Sequence, residues 1–215
     1  MNARPAKLPD HEKVYRRLRE MILFGELAPG QAVTIQGLCE DLGVGMTPVR
    51  EAIRRLTSQG ALVFQGNRRV SVPILDAKQL DELAFARLSV EPQLARLAVE
   101  NLTEKDISSL ADIDAAVDQA IEQGDVRGYL QNNCRFHEML YGASGATVLQ
   151  AISDMLWLRI GPSLRVVLGR YGTANLPDKH REALAAMRAG DGEGVALAIA
   201  GDIEQGIEQV RQSFR

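Results

Sequence analysis

Two histidines, an aspartate, an asparagine and an arginine fall where helical spacing predicts buried apolar side chains. Leu80, Leu83, Ala84, Leu88 and Leu94 line one side of a helix, and Arg87 lies among them with Glu91 as its i+4 neighbour. Leu130, Leu140 and Tyr141 flank Asn133 and His137, themselves i, i+4 neighbours. His180 shares a face with Leu184 and Met187, and Asp202 shares one with Val195, Ala198 and Ile199. A charge on a buried face needs a partner or costs several kcal/mol, so the simplest arrangement is one shared polar site. Imidazoles and a carboxylate converging from three helices suit a divalent transition metal, and residue types alone leave Zn, Ni, Mn and Fe(II) open. Two further readings use the same residues. His137, His180 and Asp202 compose the two-His, one-carboxylate set of non-haem Fe(II) oxygenases, but no general base, Gly-rich loop or nucleophile motif accompanies it, and we expect no enzyme. Alternatively, the residues form a metal-independent structural hydrogen-bond network. Cys134 is expected to be a small core residue, as is Trp157, with Arg159 on the surface.

Positioning these groups requires long helices, and residues 76–215 read as an all-α antiparallel bundle. Helices are predicted from Asp76 to about Glu100, from a Thr103 cap to Gly124, from Asp125 to Tyr141, and from about Ala146 onward. Gly161-Pro162 should kink or divide the last of these. A loop, Gly172–Pro177, then leads to helices at Asp178–Ala189 and Gly192–Ser213.

The second chemistry is cationic. The first 75 residues carry 11 Lys+Arg against 7 Asp+Glu, whereas the remaining 140 carry 14 against 21, so a basic head joins an acidic body. Val14, Leu18, Met21 and Ile22 form one helical stripe, and Gly25–Gly30 ends that helix. Thr34 caps a second helix with Ile35, Leu38, Cys39 and Leu42 inward, and Gly43 marks a tight turn. A third helix opens at Thr47-Pro48, with Thr47 as cap and Pro48 in the first helical position. It buries Val49, Ile53 and Leu56 and points Arg50, Arg54 and Arg55 elsewhere. Leu62 and Phe64 alternate, then Val70 and Val72, across a Gly66-Asn67 turn with Arg68 and Arg69 near its tip. A helix-turn-helix with a hairpin wing is the predicted unit, so the fold class is mainly α, with residues 1–75 as a winged head and 76–215 as a helical body. Such a unit places Met46, Thr47, Pro48, Arg50 and Arg54 of its recognition helix in the major groove of double-stranded DNA and the wing residues Gly66, Asn67 and Arg68 against phosphate or the minor groove.

Composition agrees with a folded, soluble, cytoplasmic protein. Of 215 residues 46% are hydrophobic and 25% charged, and the two cysteines, Cys39 and Cys134, are too few for a disulfide framework. Met1–Asp10 lacks the apolar core of a secretory signal, and no run approaches the ~18 apolar residues of a membrane span.

The stretches Val14–Gly30 and Leu42–Leu56, with their Thr47-Pro48-Val49-Arg50-Glu51-Ala52 core, resemble GntR-family transcriptional regulators. The helical body more loosely resembles the FCD ligand-sensing domain of the FadR subgroup. By this resemblance Thr47, Arg50 and the residues around Gly66 contact DNA, while Met46 and Gln36 stand where the family often has arginine. The resemblance implies a homodimeric repressor on an inverted-repeat operator, responsive to a small carboxylate effector. Metal-binding members use a carboxylate four residues before a His and two later His. His137 and His180 match that pattern, whereas Asn133 replaces the usual Asp and Asp202 the usual His. One carboxylate is lost and another gained, which we read as compensation. The resemblance also aims Arg87 at a bound carboxylate, a role a guanidinium fork suits; pairing with Glu91 is the alternative.

Overall fold

A computed structural model describes residues 9–65, 69–171 and 178–214, with side chains left aside at 166–171. Its elements are α1 (Asp10–Leu23), β1 (Ala32–Thr34), α2 (Ile35–Leu42), α3 (Met46–Ser58), β2 (Val63–Gln65), β3 (Arg69–Ser71), α4 (Ala77–Ala98), α5 (Glu104–Gln123), α6 (Val126–Gly142), α7 (Thr147–Tyr171), α8 (Lys179–Arg188) and α9 (Gly192–Gln212). The fold is mainly helical, a winged helix-turn-helix followed by a helical body. Gly66, Asn67, Arg68 and the expected loop at Gly172–Pro177 lie outside the described residues.

The helix starts follow local chemistry. Thr34, Asp76, Thr103, Asp125, Asp178 and Asp191 each accept a hydrogen bond from a first-turn backbone N–H, and Asp76 and Thr103 complete capping boxes with Gln79 and Asp106. The third helix departs from expectation. Gly45 is its N-cap, and Thr47 and Pro48 are its second and third residues. Pro48 costs nothing there, because the first four N–H groups of a helix have no intrahelical acceptor.

The sheet is larger than the hairpin predicted. β3 is central and pairs antiparallel with β2 (Phe64 opposite Val70) and with β1 (Val33 opposite Val70). Leu62, Val70 and Val72 are buried, but Phe64 points out and is 60% exposed.

Two apolar cores result. One fills the helical body with Leu80, Leu94, Leu110, Phe136, Leu140, Ile160 and Ile199, among others. The other holds the head, and Cys134, Trp157 and Leu158 of the body complete it. Thus α6 and α7 belong to both. Ion pairs flank this junction: Arg19 reaches Glu138 at 2.7 Å and Asp154 at 3.7 Å, and Glu26 receives Arg17 at 2.6 Å and Arg127 at 2.8 Å.

The helix expected to kink or divide at Gly161-Pro162 is not divided. α7 is one 25-residue helix with Pro162 inside it. An interior proline loses one helical hydrogen bond and its ring crowds the carbonyl four residues back and the N–H and Cβ of the residue before it; Gly161 has no Cβ, so one of these contacts is relieved. The same absence lets α7 approach α1: a Cβ on Gly161 would lie 3.3 Å from the Leu23 carbonyl oxygen and 3.4 Å from its Cα. Gly161→Val should therefore separate head from body and destabilise the chain by ~1–3 kcal/mol, read as a lowered urea midpoint. An unchanged midpoint would show that the junction yields freely.

Candidate metal centre and nucleic-acid face

Two cations of the head without an ion pair among the described residues lie one helical turn apart on α3. Gln36, Thr47, Arg50 and Arg54 are exposed, Pro48 is half-buried, and Met46 at the start of α3 is 54% exposed. Arg50 and Arg54 make no ion pair among the described residues; Arg50 only lies 4.0 Å from Met46 Sδ. Arg55 is different. It bonds Glu12 at 3.0 Å and stacks over Tyr15 at 3.5 Å, which ties α3 to α1. Gln36 bonds Glu40 within α2.

In the body, a cavity of about 380 Å³ opens between the helices, lined by Arg87, Asn133, Trp157, His180 and Asp202 among others. His137 is fully buried behind this lining. The structure brings His137, His180 and Asp202 together: His137 Nε2 lies 3.1 Å from Asp202 Oδ2 and 3.4 Å from His180 Nε2, and His180 Nε2 lies 3.9 Å from Asp202 Oδ1. Metal–nitrogen and metal–oxygen bonds of about 2.1 Å separate neighbouring ligand atoms by about 3.0–3.4 Å, so the two shorter edges fit a first-row cation.

The outer partners decide what these atoms carry. Glu91 is fully buried and accepts from Arg87 Nε (2.7 Å) and Nη2 (2.9 Å), from the Tyr141 hydroxyl (2.8 Å) and from Trp157 Nε1 (3.2 Å). Tyr141 has spent its proton on Glu91, so its oxygen accepts from His137 Nδ1 at 3.0 Å. His180 Nδ1 donates to Asp114 at 2.9 Å, and its ring stacks on Phe136. In the neutral tautomers with the proton on Nδ1, both Nε2 lone pairs face the Asp202 carboxylate. A divalent cation would then take the place that a shared proton holds among these three donors. Outer hydrogen bonds of this kind orient imidazoles for metal binding, and the donor set fits a divalent transition metal.

Charge follows the same geometry. Burial lowers the His137 pKa below the ordinary imidazole value and outweighs its bond to Asp202. For His180 burial also opposes protonation, but the Asp114 hydrogen bond and the Asp202 charge carry its pKa above the ordinary value. Burial works against ionised Asp202 too, yet His137, His180 and Arg87 hold its pKa down at about 2. At the cavity mouth Asp118 is raised by burial and by the charges of Asp114 and Asp178.

Other expectations resolve as follows. Arg87 both pairs with Glu91 and lines the cavity, so its fork is already occupied. Trp157 is buried and also lines the cavity. Arg159 is exposed, close to Gly60. Cys134 is free and buried on the head side, where burial raises its pKa far above the ordinary thiol value. Asn133 lines the cavity one helical turn before His137. The Arg87–Glu91 pair is one of the two expected readings, whereas Asp114 behind His180 and the bonds of Tyr141 and Trp157 to Glu91 were not anticipated, since they run between helices.

The buried pair yields a stability test. Breaking it with Glu91→Leu leaves Arg87 uncompensated and should cost ~3–5 kcal/mol, whereas adding Arg87→Met should recover most of that loss. Urea denaturation of the single and double variants measures both; a double variant no better than the single one would show that Trp157 and Tyr141 need the carboxylate itself.

Comparison with known proteins supplies the context. Residues 10–72 match the family described as bacterial regulatory proteins, gntR family, and residues 82–205 match the FCD domain. The HTH-type transcriptional regulator McbR of Escherichia coli is 33% identical over 205 residues, covering 94% of this chain and 93% of that one. The solved structure of E. coli McbR/YncC superposes with a TM-score of 0.91 at 32% identity, over 97% of this chain and 100% of the other. The galactonate operon transcriptional repressor of E. coli is 25% identical, over 87% of this chain and 90% of that one. A GntR regulator structure from Rhodococcus sp. shares the fold, with a TM-score of 0.76 at 22% identity over 95% of this chain and 99% of that chain.

Proposed function

The chain belongs to the gntR family of bacterial regulatory proteins and carries an FCD domain, and from that premise we propose that it is a homodimeric repressor whose body senses a small organic acid at a metal centre. Its relatives are transcriptional regulators, which sets the metalloenzyme reading aside. Residues 1–75 form the DNA-binding unit and residues 76–215 the sensing and dimerisation unit. Two heads related by a two-fold axis read an inverted repeat of double-stranded DNA, each with one α3 in a major groove. Arg50 reaches a guanine edge, Thr47 and Arg54 take phosphate, and Gln36, Met46 and Pro48 flank them. Gly66, Asn67 and Arg68 complete the wing. Among the described residues no helix is long and apolar enough to cross a membrane.

The observation that carries the sensing half is the convergence of the His137, His180 and Asp202 donor atoms beside the cavity. These three residues would hold Zn, Ni, Mn or Fe(II), with the Asn133 oxygen one helical turn from His137. Bound there, the metal would supply a Lewis-acidic position for an effector oxygen. Tyr141 and Asp114 hold the imidazoles with Nε2 free, Phe136 excludes water from one face of His180, and Arg87 offers the effector its remaining guanidinium edge. An effector that binds one arrangement of α6 and α7 better than another shifts the head's DNA affinity by that difference.

A metal-independent network is the second reading, favoured by the 3.1 Å contact of His137 with Asp202, which is also a hydrogen-bond distance. Metal analysis separates the two. Untagged protein should retain about one transition-metal ion per chain, as a closed donor set does at neutral pH, and the His137→Ala, His180→Ala double variant should retain almost none. Equal, negligible metal in both would leave the network reading in place.

Arg50→Ala tests the DNA-binding face. If Arg50 reads a base, operator affinity should fall by ~1–3 kcal/mol at fixed salt and discrimination at one base pair should relax. Undiminished binding would remove Arg50 from the base-reading set.

A further inference from the structure

The cavity has the wrong charge for a purely anionic ligand. Its lining carries the carboxylates of Asp114, Asp118, Glu122, Asp178 and Asp202. The cationic side chains on it are Arg87, whose fork is taken by the buried Glu91, and Lys179, which donates to Glu182 at 2.7 and 2.8 Å. The lining therefore stays net negative even with a divalent cation at the His137–His180–Asp202 centre. Much of that charge is concentrated. Carboxylate oxygens of Asp114, Asp118 and Asp178 lie within 4.8 Å of one another. Asp114 is committed to His180, and Asp178 caps α8 and meets the exposed Arg181 at 3.3 Å. Asp118 has no ion pair among the described residues, and like charges at such range repel unless a cation intervenes.

An independent feature also points to a ligand. Asn133 is only 7% exposed and lines the same cavity, with no ion pair or hydrogen bond to its amide among the described residues. Its amide atoms are not sealed away from the cavity, so whatever fills the cavity, water or a ligand, supplies the acceptor and donor that the amide seeks.

We propose that the effector is a zwitterion, with an amine seated among Asp114, Asp118 and Asp178 and a carboxylate directed inward past Asn133 to the His137–His180–Asp202 centre. The two ends divide the cavity. The cation-seeking end lies at the mouth, where Asp118 is exposed, and the anion-seeking end lies where Asn133 and Arg87 are buried. The inference rests on the reading of the body as an effector-binding unit and deepens it by naming the ligand class.

The test is a matched series on the full chain, with and without added Zn²⁺: ω-amino acids from 3-aminopropanoate to 6-aminohexanoate, against the alkanoates and dicarboxylates of equal length. Calorimetric titration and the shift in melting temperature are the readouts. At one chain length the amino acid should bind at least ~10-fold more tightly than either counterpart, equivalent to ~1.4 kcal/mol. Asp118→Asn should remove most of that preference, and Glu82→Gln, on α4 and away from the lining, should not. Alkanoates or dicarboxylates binding as well as amines at every length would overturn the amine subsite and leave the effector reading standing. If no compound shifts the protein, with or without Zn²⁺, and none alters its DNA affinity, the effector reading falls and the inference with it. Ca²⁺ alone saturating the protein and abolishing the amine preference would mark the acidic trio as a metal-ion site and overturn the proposal.

Discussion

The Glu91 carboxylate is the constraint on which the rest of the body depends. It is fully buried, and three helices meet on it: Arg87 from its own α4, Tyr141 from α6 and Trp157 from α7. A charge taken so far from water survives only when its lone pairs are satisfied. That requirement sets the orientation of each partner. The Tyr141 proton must point at Glu91, which leaves its oxygen to accept from His137 Nδ1 and so presents the His137 Nε2 lone pair to the cavity. The chemistry of the candidate metal centre is thus decided at a residue that touches none of the converging donor atoms. Such a network often contributes less to stability than an apolar core of equal volume would, but it sets which side chains the three helices turn towards one another.

Two of those helices also carry the head. Along α6, Asn133 lines the cavity and His137 meets Asp202 and His180, whereas Cys134 and Glu138, each one residue further on, meet the head core and Arg19. Along α7, Trp157 lines the cavity and belongs to the head core, while Gly161 lies against the end of α1. No separate linker need transmit a change. A shift of α6 that alters the Asn133 or His137 position moves the Arg19 ion pair by the same helix displacement. Because the junction is close-packed at Gly161 and Leu23, it can hold alternative discrete packings more readily than intermediate ones.

Helical periodicity made the long elements legible, and capping residues located their starts at Thr34, Asp76, Thr103, Asp125 and Asp178. What stayed hidden was non-local. β1 is a three-residue strand whose only reason to exist is its pairing with β3, some 37 residues away by the Val33–Val70 register. Phe64 alternates with Leu62 in sequence, yet the short β2 turns it outward. Gly161-Pro162 reads as a break because each residue alone weakens a helix; together, the missing Cβ of the glycine relieves one of the clashes the proline causes. The start of α3 was misplaced for a related reason: Thr47 has a capping side chain, but the extended backbone falls at Gly45. At the site, i, i+4 spacing exposed Asn133 with His137 and Arg87 with Glu91. Spacing cannot reveal contacts between helices, so Asp114 behind His180 and the Tyr141–Glu91–Trp157 junction emerged only from the fold.

The same limitation explains why Arg87 was difficult to assign. From sequence, it could either pair with Glu91 or receive an anion, and these looked exclusive. In the structure its Nε and Nη2 are held by Glu91 while the side chain still borders the cavity. A neutralised guanidinium donates a hydrogen bond but contributes little net charge. On the proposed reading, the attraction for an anion comes from the centre where His137, His180 and Asp202 meet, and Asn133, where the resemblance implies Asp, takes one negative charge away from the inner wall. Asp202 returns that charge in place of an imidazole. Relative to the pattern the resemblance implies, the carboxylate stands on α9 rather than in the α6 turn before His137, and an uncharged amide is left on the cavity wall.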